Sequence, residues 1–246
     1  MLRPRRLLGL LLGCWLGLWL AADGRGQFAS LPQADSPEEF DAYLDVLSKA
    51  RPADVISSAR EFEKNWPHSP LRGPVCQMEL EAYRSLDDFS GAIEAGQRAL
   101  QFAPGNLQVT AELASIIADA TADVQQLARA EDYARRTLQA LKTFTVPKWI
   151  PPQKWEMMEG QLKSEAHAAL GMVAYKRGDT PQAIREFEAA VELAPVPQPA
   201  QYYRLGMLYR ASGNKPAALE KLQRAAQMDD PAIRRLAEKQ LKVLEH

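Results

Sequence analysis

The chain has 246 residues, enough for one or two domains, with 46% hydrophobic and 25% charged residues and a formal net charge of −1. This composition is that of an ordinary globular protein, and the balanced charge argues against a nucleic-acid-binding protein and against an acidic tail. Ala, Leu, Glu, Gln and Arg are abundant, whereas β-branched runs of strand length are scarce. The composition therefore predicts an all-α protein.

The first 22 residues have the pattern of a secretory signal peptide. Three arginines precede an uncharged apolar run at 7–20, and two alanines end the segment at 22. We expect 1–22 to direct export to a bacterial-type periplasm or envelope, with secretion as an alternative. Two further alternatives are an uncleaved membrane anchor and a lipid tether on Cys14, whose preceding residues resemble a lipoprotein cleavage site.

A flexible linker and a first pair of helices follow. Residues 23–35 contain glycine and proline with little periodicity, which predicts the linker. Ser36 and Pro37 have the residue types that begin a helix, and Pro52 begins a second helix. The apolar stripe of the first helix, expected to face the core, consists of Phe40, Tyr43, Leu44 and Leu47. The pair at 36–67 is interpreted as a divergent or capping unit.

Two more helix pairs are expected before the middle of the chain. Residues 73–104 contain two apolar helical patterns separated by a turn at 86–89. Residues 107–141 contain another two, separated by a turn at 119–126 that is about four residues longer than in the other pairs. The spacing therefore predicts a helix pair in each stretch, with a longer connection in the second.

An irregular segment at 142–153 interrupts this series. Three prolines within it predict a break, because proline disrupts the interior of a helix. A new helix is expected to start near 153 and to be about two turns longer than the other first helices of a pair. The segment is interpreted either as a secondary docking loop or as a plug that folds back between neighbouring units. The residues expected to form the docking loop are Phe144, Trp149 and Ile150.

The most regular stretch, 164–231, contains the same pattern twice. Gly171 and Gly206 are 35 residues apart, and Ala183 and Ala218 are separated by the same interval. Small residues at a fixed interval predict places where two helix backbones approach closely. The repeated stretch therefore predicts helix pairs that stack on one another.

The turns and the earlier pair extend this interpretation. Gly178 and Gly213 are expected to adopt the left-handed conformation that ends the first helix of each pair. In the pair at 73–104, Leu80 stands where the regular pattern has Gly171. This difference predicts looser or shifted packing there.

The pattern of these residues resembles the tetratricopeptide repeat, a helix–turn–helix unit with a period of about 34 residues. The resemblance covers 36–246 and implies a right-handed α-solenoid of about five antiparallel helix pairs. The implied units are 36–67, 73–104, 107–141, 164–195 and 199–230, with a capping helix at 232–244.

The sequence lacks the common patterns of an active site or metal site. It contains no His-Glu-x-x-His, Cys-x-x-Cys, glycine-rich phosphate loop or Gly-x-Ser-x-Gly. His167 is interpreted as a residue that packs between helices, and Cys76 as a small buried apolar residue. The sequence therefore predicts a non-enzymatic protein without a cofactor.

The resemblance implies a binding surface instead. In this family the first helices of the pairs line a concave groove that binds a peptide or partner protein. Carried over to this sequence, the groove residues are Gln77, Glu81, Arg84, Ser115, Met172, Tyr175, Tyr203, Met207 and Arg210. Its apolar part is expected to suit a hydrophobic segment, or else to pack against the adjacent helix.

The sequence thus predicts an exported interaction scaffold or adaptor whose partner is a protein or peptide and not a nucleic acid. One alternative is a lipid-anchored factor of envelope assembly, and another is an accessory subunit of a cell-envelope enzyme.

Overall fold

The structure, a computed structural model, describes residues 33–245, and within that range it contains eleven α-helices and no strand. The prediction of an all-α fold is confirmed. The predicted signal peptide at 1–22 and most of the predicted linker at 23–35 lie outside the described residues. Within the described range, every helix is too short or too polar to cross a bilayer. The helices are α1 (Pro37–Ser48), α2 (Pro52–Asn65), α3 (Arg72–Ser85), α4 (Phe89–Phe102), α5 (Leu107–Ala120), α6 (Val124–Thr143), α7 (Pro152–Lys176), α8 (Thr180–Leu193), α9 (Pro199–Ala211), α10 (Lys215–Gln227) and α11 (Pro231–Glu245).

Consecutive helices pack as five pairs that stack in chain order. The pairs are α1–α2, α3–α4, α5–α6, α7–α8 and α9–α10, and α11 packs against α10 and α9 at the end of the stack. One hydrophobic core runs from Cys76 in α3 to Leu208 in α9, with smaller clusters at both ends. The predicted solenoid of helix pairs with a C-terminal capping helix is confirmed.

Glycines mark the closest contacts within the C-terminal pairs. A Cβ atom added to Gly171 would lie 2.7 Å from Cδ2 of Phe187 in α8, and one added to Gly206 would lie 2.7 Å from Cγ of Leu222 in α10. Neither position can carry a side chain without displacing the large residue opposite it. The close approach predicted at these glycines is confirmed.

The α3–α4 pair makes the same contact with the residue sizes exchanged. Leu80 of α3 is fully buried, and its Cδ1 lies 2.6 Å from where a Cβ on Gly96 of α4 would be. Gly96 occupies the position that Phe187 has in α8. Of the two predicted alternatives, looser or shifted packing, the looser packing around Leu80 is wrong, because the second helix supplies the missing space.

The turns inside three pairs share one left-handed residue. Gly178 and Gly213 both have a φ of +81°, as predicted, and Asp87 takes the equivalent place with a φ of 56°. The residue after each of them caps the next helix: Asp179 accepts a hydrogen bond from the backbone of Gln182, for example. Asp87 is the residue with the least favourable backbone conformation among these three.

The connection inside the α5–α6 pair differs from its prediction. Only residues 121–123 separate α5 from α6, so the turn is no longer than those of the other pairs. The additional residues are helical instead: α6 begins six residues before Ala130, whereas α8 begins three residues before Ala183. The prediction of a longer turn at 119–126 is wrong because the helix absorbs the insertion.

Helix α1 buries only part of the predicted stripe: Tyr43 is partly buried and packs against the cluster that contains Val46 and Phe62. Phe40, Leu44 and Leu47 remain 48%, 43% and 49% exposed, and the buried residues of α1 are Glu39 and Val46. Glu39 accepts hydrogen bonds from the backbone of Asp35 and from the hydroxyl of Ser69. Phe40, Leu44 and Leu47 lie at the open end of the stack, where no earlier described pair covers them.

Cys76 is fully buried in α3, which confirms its predicted role as a core residue. Burial, together with the neighbouring Glu63 carboxylate, raises the pKa of the Cys76 thiol to about 12. A protonated, enclosed thiol is a poor nucleophile, so Cys76 contributes packing and not reactivity.

Candidate functional site

The first helices of the pairs form one layer. Asn106, the N-cap of α5, donates a hydrogen bond to Gln77 of α3 at 2.9 Å, and Gln201 of α9 donates one to Ser164 of α7 at 3.2 Å. Helices α5 and α7 pack directly against each other. Side chains on the outer face of this layer therefore share one surface, which we call the groove.

All nine groove residues predicted from the sequence lie on α3, α5, α7 and α9. Their accessibility differs. Exposed are Glu81, Arg84, Tyr175 and Arg210; partly buried are Ser115, Tyr203 and Met207; buried are Gln77 and Met172.

The predicted apolar part of the groove is not continuous. Met172 is only 9% exposed and belongs to the main core, which corrects its interpretation as a binding residue. Tyr203 packs with the cluster that α11 covers, and Arg210 donates a hydrogen bond to Gln240 of α11. Of the four predicted apolar residues Met172, Tyr175, Tyr203 and Met207, Tyr175 is the most accessible, at 55% exposure.

The predicted docking loop is mostly a plug. Ile150 is 4% exposed, and Phe144 stacks on Trp155 of α7 with ring centroids 4.7 Å apart. Phe144 is partly buried and packs against the cluster formed by α5, α6 and the first part of α7. Trp149, at 58% exposure, is the most exposed of the three.

A pattern of glutamine and glutamate repeats along the layer. A glutamine donates a hydrogen bond to the glutamate four residues later in α3, α5 and α7, at nitrogen–oxygen distances of 3.4, 3.2 and 2.7 Å respectively. The three pairs are Gln77–Glu81, Gln108–Glu112 and Gln161–Glu165. In each, the glutamine nitrogen binds Oε1 of the glutamate. We call the three glutamates the acidic cluster.

Glu112 is the centre of the acidic cluster. It is 7% exposed, and its Oε2 atom is buried without a hydrogen-bond partner. Burial, followed by the negative charges of Glu165 and Glu81, raises the pKa of the Glu112 carboxyl to about 8. Arg84 and the hydrogen bond from Gln108 oppose this shift. A buried acceptor without a donor is unusual in a folded protein and needs an explanation.

The other two carboxyls of the acidic cluster show the same tendency. Loss of solvent around the carboxyl group raises the pKa of Glu165 and of Glu81, although Glu81 as a whole residue is exposed, while their glutamine partners and Arg84 lower it. Three carboxyl groups are thus held near a single guanidinium. The site has an excess of acceptors and of negative charge.

The sequence prediction included Glu81, Gln77 and Arg84 but missed Glu112 and Glu165. The signal for them was present in the repeated spacing of Gln followed by Glu at the fourth position. Their burial was not visible, because a glutamate on an amphipathic helix normally lies in solvent.

A second depression lies on another face, between α6, α7 and α8, and its charges are already paired. Arg177 binds Glu131 at 2.5 Å, and Nδ1 of His167 lies 2.7 Å from Oε2 of Glu186. The expected packing role of His167 between helices is confirmed. Within the described range no group of three His, Cys, Asp or Glu residues is placed to hold a metal ion.

Comparisons with known proteins support the fold. Residues 164–195 match the sequence model of the family described as tetratricopeptide repeat. MamA (41–end) from Desulfovibrio magneticus RS-1 is similar in structure, with a TM-score of 0.56 and 13% identity, over 77% of this chain and 94% of that chain. A chain of the APC/C hetero-tetramer Cut9–Hcn1 has a TM-score of 0.55 and 16% identity, over 84% of this chain and 40% of that chain. At these identities the likeness is one of fold alone. Comparison with curated protein sequences gives no match.

Proposed function

We propose that this chain, a tetratricopeptide-repeat protein, is a non-enzymatic scaffold that binds a peptide or a segment of a partner protein in its groove. Repeat proteins of this kind generally act through protein–protein interactions, and stacked helices create extended surfaces for them. The observation that carries the proposal is the groove itself, where consecutive first helices present Glu81, Arg84, Ser115 and Tyr175 on one layer.

A photo-crosslinking experiment tests the site of binding. Benzoylphenylalanine is introduced at Tyr175 in the groove and, as a matched control, at Arg185, which is exposed on α8. In cells that make the protein, we expect covalent adducts with a partner from the groove position and few from the control position. Adducts formed equally from both positions, or only from Arg185, would contradict binding in the groove.

We also propose that the protein acts outside the cytoplasm, which the sequence at 1–22 supports. Cleavage after this segment leaves a free N-terminus near Asp23. Lipidation instead leaves an acylated Cys14, which would favour a membrane-tethered assembly factor. Mass spectrometry of the N-terminal peptide of the mature protein distinguishes the two, and a retained Met1 in a soluble cell fraction would refute export.

A further inference from the structure

We propose that the acidic cluster is a subsite for a basic side chain, arginine or lysine, of the segment bound in the groove. This inference rests on the proposed function, because it assigns chemistry to part of the same surface. The partner segment must then carry a positive charge where it crosses α3, α5 and α7.

The hydrogen bonds of the cluster leave acceptors free. Each glutamine amide binds one oxygen, Oε1, of its glutamate. The second oxygen of Glu112, Oε2, is buried and has no partner. An unsatisfied buried acceptor is destabilising, so a donor supplied by a ligand would remove a cost that the free protein carries.

The charges of the cluster select a cation. Glu112 lies close enough to Glu165 and Glu81 for both to oppose its ionisation, and Arg84 is the one positive group that acts on all three. An anion would add to the repulsion, and a neutral donor would leave it unchanged. A positively charged ligand favours ionisation of Glu112 and relieves the repulsion at the same time.

The spacing of the carboxyls suits a side chain better than a metal ion. The three glutamates belong to three different helices, and they do not form a group close enough to ligate one ion in the described structure. A guanidinium spreads five donors over a plane and is weakly hydrated, so it can bind separated carboxylates in a partly buried site. An ammonium on a flexible chain offers three donors. We therefore expect arginine to bind more tightly than lysine.

A pair of peptide pools tests the subsite. The first pool contains fluorescent heptapeptides with a fixed central arginine and uncharged residues at random in the other positions. The second replaces the arginine with citrulline, which has nearly the same shape without the charge. The full mature protein is titrated into each pool, and fluorescence polarisation is measured.

We expect the wild-type protein to bind the arginine pool about tenfold more tightly than the citrulline pool. Glu112→Gln keeps the shape and the bond to Gln108 but removes the charge, and should reduce this ratio to near one. Glu165→Gln serves as a second variant at the same site. Glu61→Gln, on the exposed face of α2, is the matched control and should keep the wild-type ratio.

The outcomes separate the two proposals. If both pools bind equally to the wild type, or if Glu112→Gln keeps the tenfold preference, the basic subsite is refuted. Crosslinking from Tyr175 can still succeed in that case, and the groove would then bind a neutral segment. If crosslinking from Tyr175 also fails, the proposed function is refuted as well.

The pH dependence gives a further readout that a purely structural glutamate would not show. Because the pKa of free Glu112 is about 8, binding of a cation below that pH must release its proton. Affinity for the arginine pool should rise with pH by up to about tenfold per unit until Glu112 is ionised. Affinity that stays constant between about pH 6 and pH 9, in wild type and Glu112→Gln alike, would overturn the inference.

Discussion

The α3–α4 and α7–α8 pairs solve the same packing problem in opposite ways. In α7–α8 the first helix supplies Gly171 and the second supplies Phe187, whereas in α3–α4 the first helix supplies Leu80 and the second supplies Gly96. In both pairs the large side chain fills the space beside the glycine. The comparison shows that the repeat constrains the combined volume of two facing residues more strongly than the residue at either position.

Removal of the large side chain of Phe187 from the α7–α8 contact should change the free energy of unfolding more than the other substitutions below. Phe187 is 1% exposed and fills the space opposite Gly171, so Phe187→Ala should lower the free energy of unfolding by about 3 to 5 kcal/mol. Urea denaturation followed by circular dichroism measures the change. Phe40→Ala is the control: Phe40 is 48% exposed, and its loss should cost less than about 1 kcal/mol.

The effect of Gly171→Ala on the free energy of unfolding should change sign when Phe187 is replaced by alanine. Gly171→Ala alone should cost about 1 to 2 kcal/mol, because every atom within 3.1 Å of the new Cβ belongs to Phe187. In the Phe187→Ala background the same change should stabilise by up to about 1 kcal/mol, since alanine favours helix over glycine. A double-mutant cycle measures this coupling.

The equivalent cycle at α3–α4 sharpens the comparison. A Cβ on Gly96 would also lie 2.8 Å from Leu113 of α5, so Leu80→Ala removes only part of the obstacle. We expect a smaller coupling between Gly96→Ala and Leu80→Ala than between the α7–α8 changes. A coupling at α3–α4 that equals or exceeds the one at α7–α8 would contradict this expectation.

Substitutions in the turns of the two pairs should have the smallest effect on stability. Asp87 has the left-handed conformation that Gly178 adopts without strain. Asp87→Gly should therefore stabilise the protein by about 0.5 to 1 kcal/mol, and Gly178→Asp should destabilise it by about 1 kcal/mol. Thermal unfolding of both variants measures the two changes, and the same sign for both would contradict the assignment.

The repeat made most of the fold predictable from the sequence. Glycine and alanine at a 35-residue interval in 164–231 located the close contacts, and the left-handed turn residues Gly178 and Gly213 followed from the same pattern. The stripe of α1 could not be predicted in the same way, because the face that a helix buries depends on neighbours elsewhere in the chain. Phe40 remains exposed for that reason.

The candidate site was less predictable than the fold. The family resemblance led to Glu81 and Arg84, but also to Met172, which belongs to the core. Glu112 was missed because its burial depends on the packing of α5 against α7, and its raised pKa depends first on that burial and then on Glu165, more than 50 residues away. Such a residue carries no local sequence signal of its environment.

The length of α7 has a mechanical consequence. With 25 residues it extends about 37 Å, nearly twice the length of the other first helices. Its first part packs through Leu162 against Leu107 and Leu141 of the preceding pair, and its second part forms the α7–α8 core. Units of a helical-repeat array normally contact only their neighbours. Because α7 is one continuous helix that packs on both the α5–α6 and the α7–α8 pairs, it resists bending between them. The surface across α5 and α7 therefore has a fixed curvature before a partner binds. Binding there costs the scaffold little conformational entropy.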